Sequence, residues 1–270
     1  MAEINKNTAV KKRTFFQKIK RFIWKLTLWF FAISIFLVVI FKWIPVPFTP
    51  LMFVRAYEQK TAGKEIVWKH NWTPLEDISP NLQKAVIASE DGNFMHHNGF
   101  DFKAMQKAFK NNNRGKRLKG GSTISQQTAK NVFLWQGRSY VRKAFEAYFT
   151  FLIELIWGKE RIMEVYLNSI EMGDGIYGAQ AATHYWYHKD CKSLTLQEAA
   201  GIAAILPNPR KYKASNSSRY VNGRKTKIIK NGLHPQSMLH LNILFHSFRI
   251  YITIGNILIH RHNLSITSTS

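Results

Sequence analysis

Residues 22–41 read FIWKLTLWFFAISIFLVVIF, and this run limits the chain more than any other feature. Twenty residues make a helix about 30 Å long, the thickness of a bilayer's hydrocarbon core. Lys25 is its only charge and sits close enough to the end to snorkel. Trp24, Trp29 and Trp43 include positions where interfacial aromatics belong, and Pro45, Pro47 and Pro50 stop a helix from continuing. A cleaved signal peptide would need a shorter apolar region and an A-x-A site, which the following KWIPVPFTP does not offer. A buried core helix is rarely apolar all round directly behind seven basic residues. The favoured reading is a basic cytoplasmic tail over 1–21, one transmembrane anchor over 22–44 and a domain on the outer face from 45 onward.

Charge then becomes informative. The chain has 39 Lys+Arg against 16 Asp+Glu, a formal net charge of +23, concentrated in three blocks. Residues 1–25 hold eight basic side chains and one acid; 102–145 hold eleven and none; 199–270 hold ten and none. A hydrophobic fraction of 46% excludes a disordered basic tail protein. The lone Cys191 excludes an intramolecular disulfide framework and a cysteine-based zinc site. The first block is a topology signal that needs no nucleic acid. The second block, on the outer side, calls for an anionic partner such as a lipid-linked phosphate.

The outer domain reads as mainly α-helical. Ser79-Pro80 is an N-cap followed by proline at the first helical position, opening a helix through LQKAVIASE that ends near Gly92. Asp101 caps a second helix with Phe102, Met105 and Phe109 on one face. Residues 110–121 read as a mobile basic loop. Capping boxes at Thr123/Gln126 and Thr195/Glu198 open two more helices, the latter ended by Pro207. Residues 140–157 and 159–168 supply two others, with Ile162, Val165 and Tyr166 facing inward. Strand-like alternation is scarce. Residues 231–270 differ in composition, with half of the ten histidines, no lysine and no acid, which suggests a shifted reading frame or an unusual membrane-surface extension.

Three segments could carry chemistry. Glu90 ends an apolar helix, where desolvation raises a carboxylate's pKa and suits it to acid/base work; alone, a solvated helix-end glutamate would be the better reading. Its context, EDGNFMHHNGFD, changes the balance. Gly120-Gly121-Ser122-Thr123 before a helix is an anion-binding layout, with small residues and free N–H groups, although a Gly-rich turn with an ordinary cap has the same appearance. Arg142, Lys143 and Glu146 share one helical face at a spacing that usually means a surface ion pair worth roughly 0.2–0.5 kcal/mol. Glu146 is nevertheless the first acid after 44 residues without one. Two carboxylates from distant segments, Glu90 and Glu146, fit chemistry at a sugar centre.

In order and spacing, EDGNFMHHNGFD (90–101), GGSTISQQTAKN (120–131), RKAFE (142–146), GKERIMEVYLNSIEMGDGIYGAQAA (158–182) and AAILPNP (203–209) resemble the peptidoglycan glycosyltransferases of family 51. The resemblance covers roughly 20–230, with the glycosyltransferase domain over 45–230. It implies a lysozyme-like, mainly α fold with a small membrane-facing lobe. It also implies polymerisation of lipid II, by inverting transfer to the acceptor 4-hydroxyl with release of undecaprenyl diphosphate. The family's catalytic base maps to Glu90, and its second glutamate, which orients the diphosphate or a divalent cation, to Glu146. Asp91, Phe94 and His97 match the first motif, and Ser122, Thr123, Gln126, Gln127 and Lys130 the diphosphate and sugar contacts. Arg138, Arg142 and Lys143 join them as substrate-binding cations. A divalent cation, Mg²⁺ or Mn²⁺, is left open, because lysines can substitute for it; no organic cofactor is expected. Asn168 is expected to be structural. Gln180 departs from the family, whose members often carry glutamate there. Implied partners are lipid II, the growing glycan, the membrane and other cell-wall synthesis proteins, with no nucleic acid. The competing readings are a lysozyme-like hydrolase or lytic enzyme, which needs no diphosphate site, and a non-enzymatic adaptor, which leaves the ordered motifs unexplained. No S-x-x-K or K-T-G occurs, so peptide cross-linking is not expected of these residues.

Overall fold

A computed structural model describes residues 15–113, 121–137 and 139–232. Arg138, most of the basic loop and the 233–270 tail lie outside the described residues, as does the start of the N-terminal tail. The chain divides between Ile44 and Pro45 into two units.

The first unit is one helix, α1 (Phe15–Ile40). It begins before the apolar run and takes in Lys18, Lys20 and Arg21, straight-chain residues that favour helix. Its most apolar stretch has a mean hydropathy of 2.3, and it is long and apolar enough to cross a membrane.

The second unit is mainly helical. After α2 (Pro50–Thr61) and a short strand β1 (Lys69–His70) come α3 (Pro80–Glu90), α4 (Phe102–Asn113), α5 (Ile124–Phe133) and α6 (Tyr140–Ile156). They are followed by α7 (Gly158–Ser169), strands β2 (Glu171–Gly173) and β3 (Ile176–Tyr177), then α8 (Ala179–Tyr187), α9 (Leu196–Ile205) and α10 (Arg219–Gly232). The capping signals act as the sequence implies. Ser79 Oγ accepts the Asn81 N–H, and Thr123 and Thr195 each close a reciprocal capping box. Two further starts went unread: Thr49 precedes Pro50 in the first turn of α2, and Ser218 Oγ accepts the Val221 N–H at the start of α10. α8 and the small sheet carry no such signal.

Two helix groups form the core. α9 reads LQEAAGIAAI and is buried from Ala199 to Ile205; its small side chains let α3 and α10 approach closely. α5 packs on α6 and α7, with the Phe133 and Phe149 rings stacked 4.5 Å apart. α4 departs from the expected burial. Asp101 does cap it, accepting from the Ala104 N–H at 2.8 Å, but Phe102 and Phe109 are exposed and Ala108 is the residue turned inward.

The sheet, ordered β1-β3-β2, pairs β1 parallel and β2 antiparallel to β3. Gly175, at φ +72, makes the turn between β2 and β3, and a Cβ there would lie 2.1 Å from the Val67 carbonyl oxygen. Only glycine fits so close to another backbone. The segment that follows β1 is tied to α7 by Asn168, which is fully buried. Its Oδ1 accepts the Thr73 N–H at 2.8 Å, and its Nδ2 donates to the Thr73 and Glu164 carbonyls at 2.9 and 2.8 Å. Gln180 accepts the Cys191 N–H through Oε1 at 3.0 Å, a bond that a glutamate could also make.

Asn168→Ala strands the Thr73 backbone groups in the interior. We expect a loss of roughly 2–4 kcal/mol in unfolding free energy, measured by denaturant titration of the detergent-solubilised protein. A loss within 0.5 kcal/mol, approximately that of a surface substitution, would contradict this role.

Candidate active site

Glu90 closes α3, and its carboxylate is met from two sides. Gln127 Nε2, on α5, donates to Oε2 at 3.2 Å, and the Ser89 hydroxyl lies 3.3 Å from Oε1. Gln127 is itself oriented by Tyr166 on α7, whose hydroxyl donates to Gln127 Oε1 at 3.4 Å. Burial pushes the Glu90 pKa above the ordinary carboxylate value; the Gln127 bond, the Arg224 charge and the Ser89 bond pull it partway back. The desolvation expected from the apolar run AVIAS is therefore realised. Tyr166 is fully buried and its phenol is pushed well up, so it remains a hydrogen-bond donor.

The corner after Glu90 is an internal clamp. The Asp91 carboxylate accepts the Ile124 N–H at 3.0 Å, and both of its oxygens lie 3.0 Å from His97 Nε2. Phe94 is fully buried beneath the Lys159 ammonium, which lies 4.6 Å from the ring centroid. Lys159 in turn bonds Glu154 at 2.6 Å, and Ser125 donates to the same carboxylate oxygen. Gly99, at φ +86, brings this corner against α6: a Cβ there would meet Thr150 Cγ2 at 2.7 Å. Its carbonyl accepts the Thr123 hydroxyl at 2.7 Å.

This arrangement corrects the anion-binding reading of residues 120–123. The N–H groups at the start of α5 were expected to be free for a ligand. Ile124 N–H is bonded to Asp91, Gln126 N–H to Thr123 Oγ1 and Thr123 N–H to Gln126 Oε1. A nearby carboxylate already occupies the positive end of the helix. Thr123 and Gln126 are buried in this cap, so they shape the site from within. Ser122 is partly exposed, 3.5 Å from Lys143 Nζ.

The second carboxylate, Glu146, is 2% exposed, so its pairs are not the surface ion pair that helical spacing usually means. Arg142 Nη1 donates to Oε2 at 2.9 Å, and Lys143 Nζ to Oε1. Arg142 is largely buried, whereas Lys143 is 43% exposed and keeps its ammonium near solvent. Lys130 on α5 lies within the electrostatic reach of both glutamates. Burial lowers its pKa and Glu146 opposes that shift. The predicted residues thus form two sets. Glu90, Gln127, Lys130, Arg142, Lys143 and Glu146 line a common electrostatic site, while Asp91, Phe94, His97, Thr123 and Gln126 brace it. Arg138 lies outside the described residues. Sequence reasoning missed Ser89, Tyr166 and Arg224: Ser89 adjoins Glu90 but no motif marks it as chemical, and the other two act through contacts distant in sequence.

A family model described as Transglycosylase matches residues 59–232. Biosynthetic peptidoglycan transglycosylases are similar over most of their length. That of Bacteroides thetaiotaomicron is 52% identical over 214 residues, covering 79% of this chain and 86% of the relative. That of Bdellovibrio bacteriovorus is 50% identical over 218 residues, covering 80% and 87%. That of Caulobacter vibrioides is 53% identical over 193 residues, covering 72% and 82%. With its catalytic-type carboxylate at a desolvated helix end and its ordered motifs all inside the matched span, the chain belongs to the transglycosylase family.

Proposed function

We propose that this chain polymerises lipid II into peptidoglycan glycan strands at the outer face of the cytoplasmic membrane. The observation that carries this reading is the combination of a desolvated Glu90 bonded by Gln127 and a buried Glu146 held by Arg142 and Lys143, with Lys130 within electrostatic reach of both. Glu90 takes the proton from the acceptor's 4-hydroxyl. The freed oxygen attacks the anomeric carbon of the growing chain, and the bond from that carbon to the diphosphate breaks with inversion. Negative charge grows on the leaving diphosphate. Lys130, Arg142 and Lys143 are prearranged cations that stabilise that charge as it develops. A hydrolase acting on neutral glycan releases no such charge, which leaves the cluster without a purpose.

Both oxygens of Glu146 are taken by Arg142 and Lys143, and no group of three His, Cys, Asp or Glu suited to a metal occurs among the described residues. These donors do not suit a resident divalent cation. The side chains that neutralise the diphosphate in this proposal are the lysines and the arginine.

The setting is membranous. α1 supplies a single-pass anchor, and the basic residues ahead of it favour retention of the N-terminus in the cytoplasm. α4 presents exposed Phe102 and Phe109 beside Lys103, Lys107 and Lys110, a composition suited to an anionic lipid surface. Lipid II and the lipid-linked glycan are the substrates in this reading.

Glu90→Gln is expected to abolish glycan synthesis from labelled lipid II while lipid II binding stays within about twofold; near-normal turnover would remove Glu90 from the role of base. Because burial raises its pKa, Glu90 becomes the free base only as pH rises above the ordinary carboxylate range. The acid limb of kcat/KM should accordingly lie above that range, and a flat profile down to it would contradict the assignment. Lys130→Ala and Arg142→Ala should each weaken binding of the lipid-diphosphate donor about tenfold and flatten its dependence on salt. Unchanged affinity would mean that these cations do not meet the diphosphate.

A further inference from the structure

Glu90 has a neighbour that proton transfer to the base does not itself require. Arg224, on α10, donates from Nη2 to the Ser89 hydroxyl at 3.1 Å. That hydroxyl lies 3.3 Å from Glu90 Oε1 and 3.2 Å from the Ala203 carbonyl oxygen on α9. A serine hydroxyl has one proton to give and lone pairs to receive. With a guanidinium N–H directed into it, its own proton is left for Glu90 or for Ala203. The Arg224 Nε is buried without a hydrogen-bond partner, and among the described residues no carboxylate forms an ion pair with this guanidinium. Arg224 is partly buried, and its charge has a direct electrostatic effect on Glu90.

We propose that Arg224 is a positioning residue for Glu90, acting through the Ser89 hydroxyl and through its own charge, so that α10 belongs to the catalytic apparatus as well as to the core. The inference rests on the reading of Glu90 as the base. It accounts for a conflict at the site. The base must be partly buried to be reactive, yet burial disfavours the ionised form that accepts a proton. The charged and titratable groups around Glu90 are Asp91 beside it, Lys130 on α5, Tyr166 on α7 and Arg224 on α10; α9 contributes only a carbonyl. Asp91 works against ionisation of Glu90. Lys130 is influenced by both glutamates, and by Glu146 more than by Glu90. Arg224 is the cation joined to the base through the Ser89 hydroxyl.

The test is the pH profile of kcat/KM for lipid II polymerisation by the full chain in detergent, for wild type, Arg224→Lys, Arg224→Met and Ser89→Ala. Loss of the positive charge disfavours ionised Glu90, so its pKa rises and the acid limb moves to higher pH. In Arg224→Met we expect a shift of about one pH unit, with activity approaching wild type on the alkaline side. Arg224→Lys should keep the limb within about 0.3 unit of wild type. Ser89→Ala, a small change that preserves packing, should shift it in the same direction by less, and this variant decides the matter if Arg224→Met does not fold. A residue that only supports the core would lower the whole profile without moving its limb. An unmoved limb in Ser89→Ala and in any folded Arg224→Met overturns the role of Arg224. Glu90→Gln assayed in parallel separates the two claims: activity surviving there overturns the base itself, whereas its loss there with unmoved limbs elsewhere overturns only the inference about α10.

Discussion

The Asp91 carboxylate joins three segments at one point, and the geometry of the site follows from that junction. It sits immediately after Glu90, accepts the first free N–H of α5 and pairs with His97. A carboxylate at a helix N-terminus satisfies a donor that would otherwise face the interior and complements the helix dipole. Here it also fixes the distance between the end of α3 and the start of α5. Gln127 lies one turn into α5, so the same contact that caps the helix brings the Gln127 amide to Glu90. Movement of this corner would misplace the base, its orienting amide and Lys130 together.

Glu146 illustrates the opposite use of burial. Taking the Glu146 carboxylate and the Arg142 guanidinium out of water costs several kcal/mol, and removing one of them leaves a charge uncompensated. Such a cluster adds little net stability. Its value is that Arg142 and Lys143 are already held in place before the leaving group's charge appears, with Lys143 still open to solvent and ligand. Glu90 and Glu146 are thus the same residue type in two environments. The first is desolvated with mostly neutral hydrogen-bond partners, the second enclosed by cations. The proposed roles of proton acceptor and electrostatic anchor rest on that difference.

How much was readable in the sequence depended on whether the cause was local. Ser79, Asp101, Thr123 and Thr195 could be recognised as caps because a cap's partner lies two or three residues away. Burial of Ile162, Val165 and Tyr166 followed helical periodicity. α4 failed the same test, because periodicity identifies an apolar face without saying whether protein or lipid covers it. The free N–H groups expected at residues 120–123 were another failure, since Asp91 reaches Ile124 across 33 positions of chain. α10 went unread although Ser218 caps it, its Oγ accepting the Val221 N–H at 3.4 Å; it packs against α9 with Val221 and Ile228 buried.

The sequence by itself determined a helix long and apolar enough to cross a membrane, the dominance of helix beyond it, the desolvated setting of Glu90 and the shared face of Arg142, Lys143 and Glu146. Each of these depends on a run of neighbours, through hydropathy, capping or a spacing of three or four residues. Only the tertiary structure decided that Glu146 is buried, that Asp91 and His97 brace the site from below, and that Arg224 reaches the base from the last described helix. Those outcomes depend on which helices pack together. The helices that meet at the site are set by small residues such as Ala203 and Gly99, which leave room for a neighbour without indicating its identity.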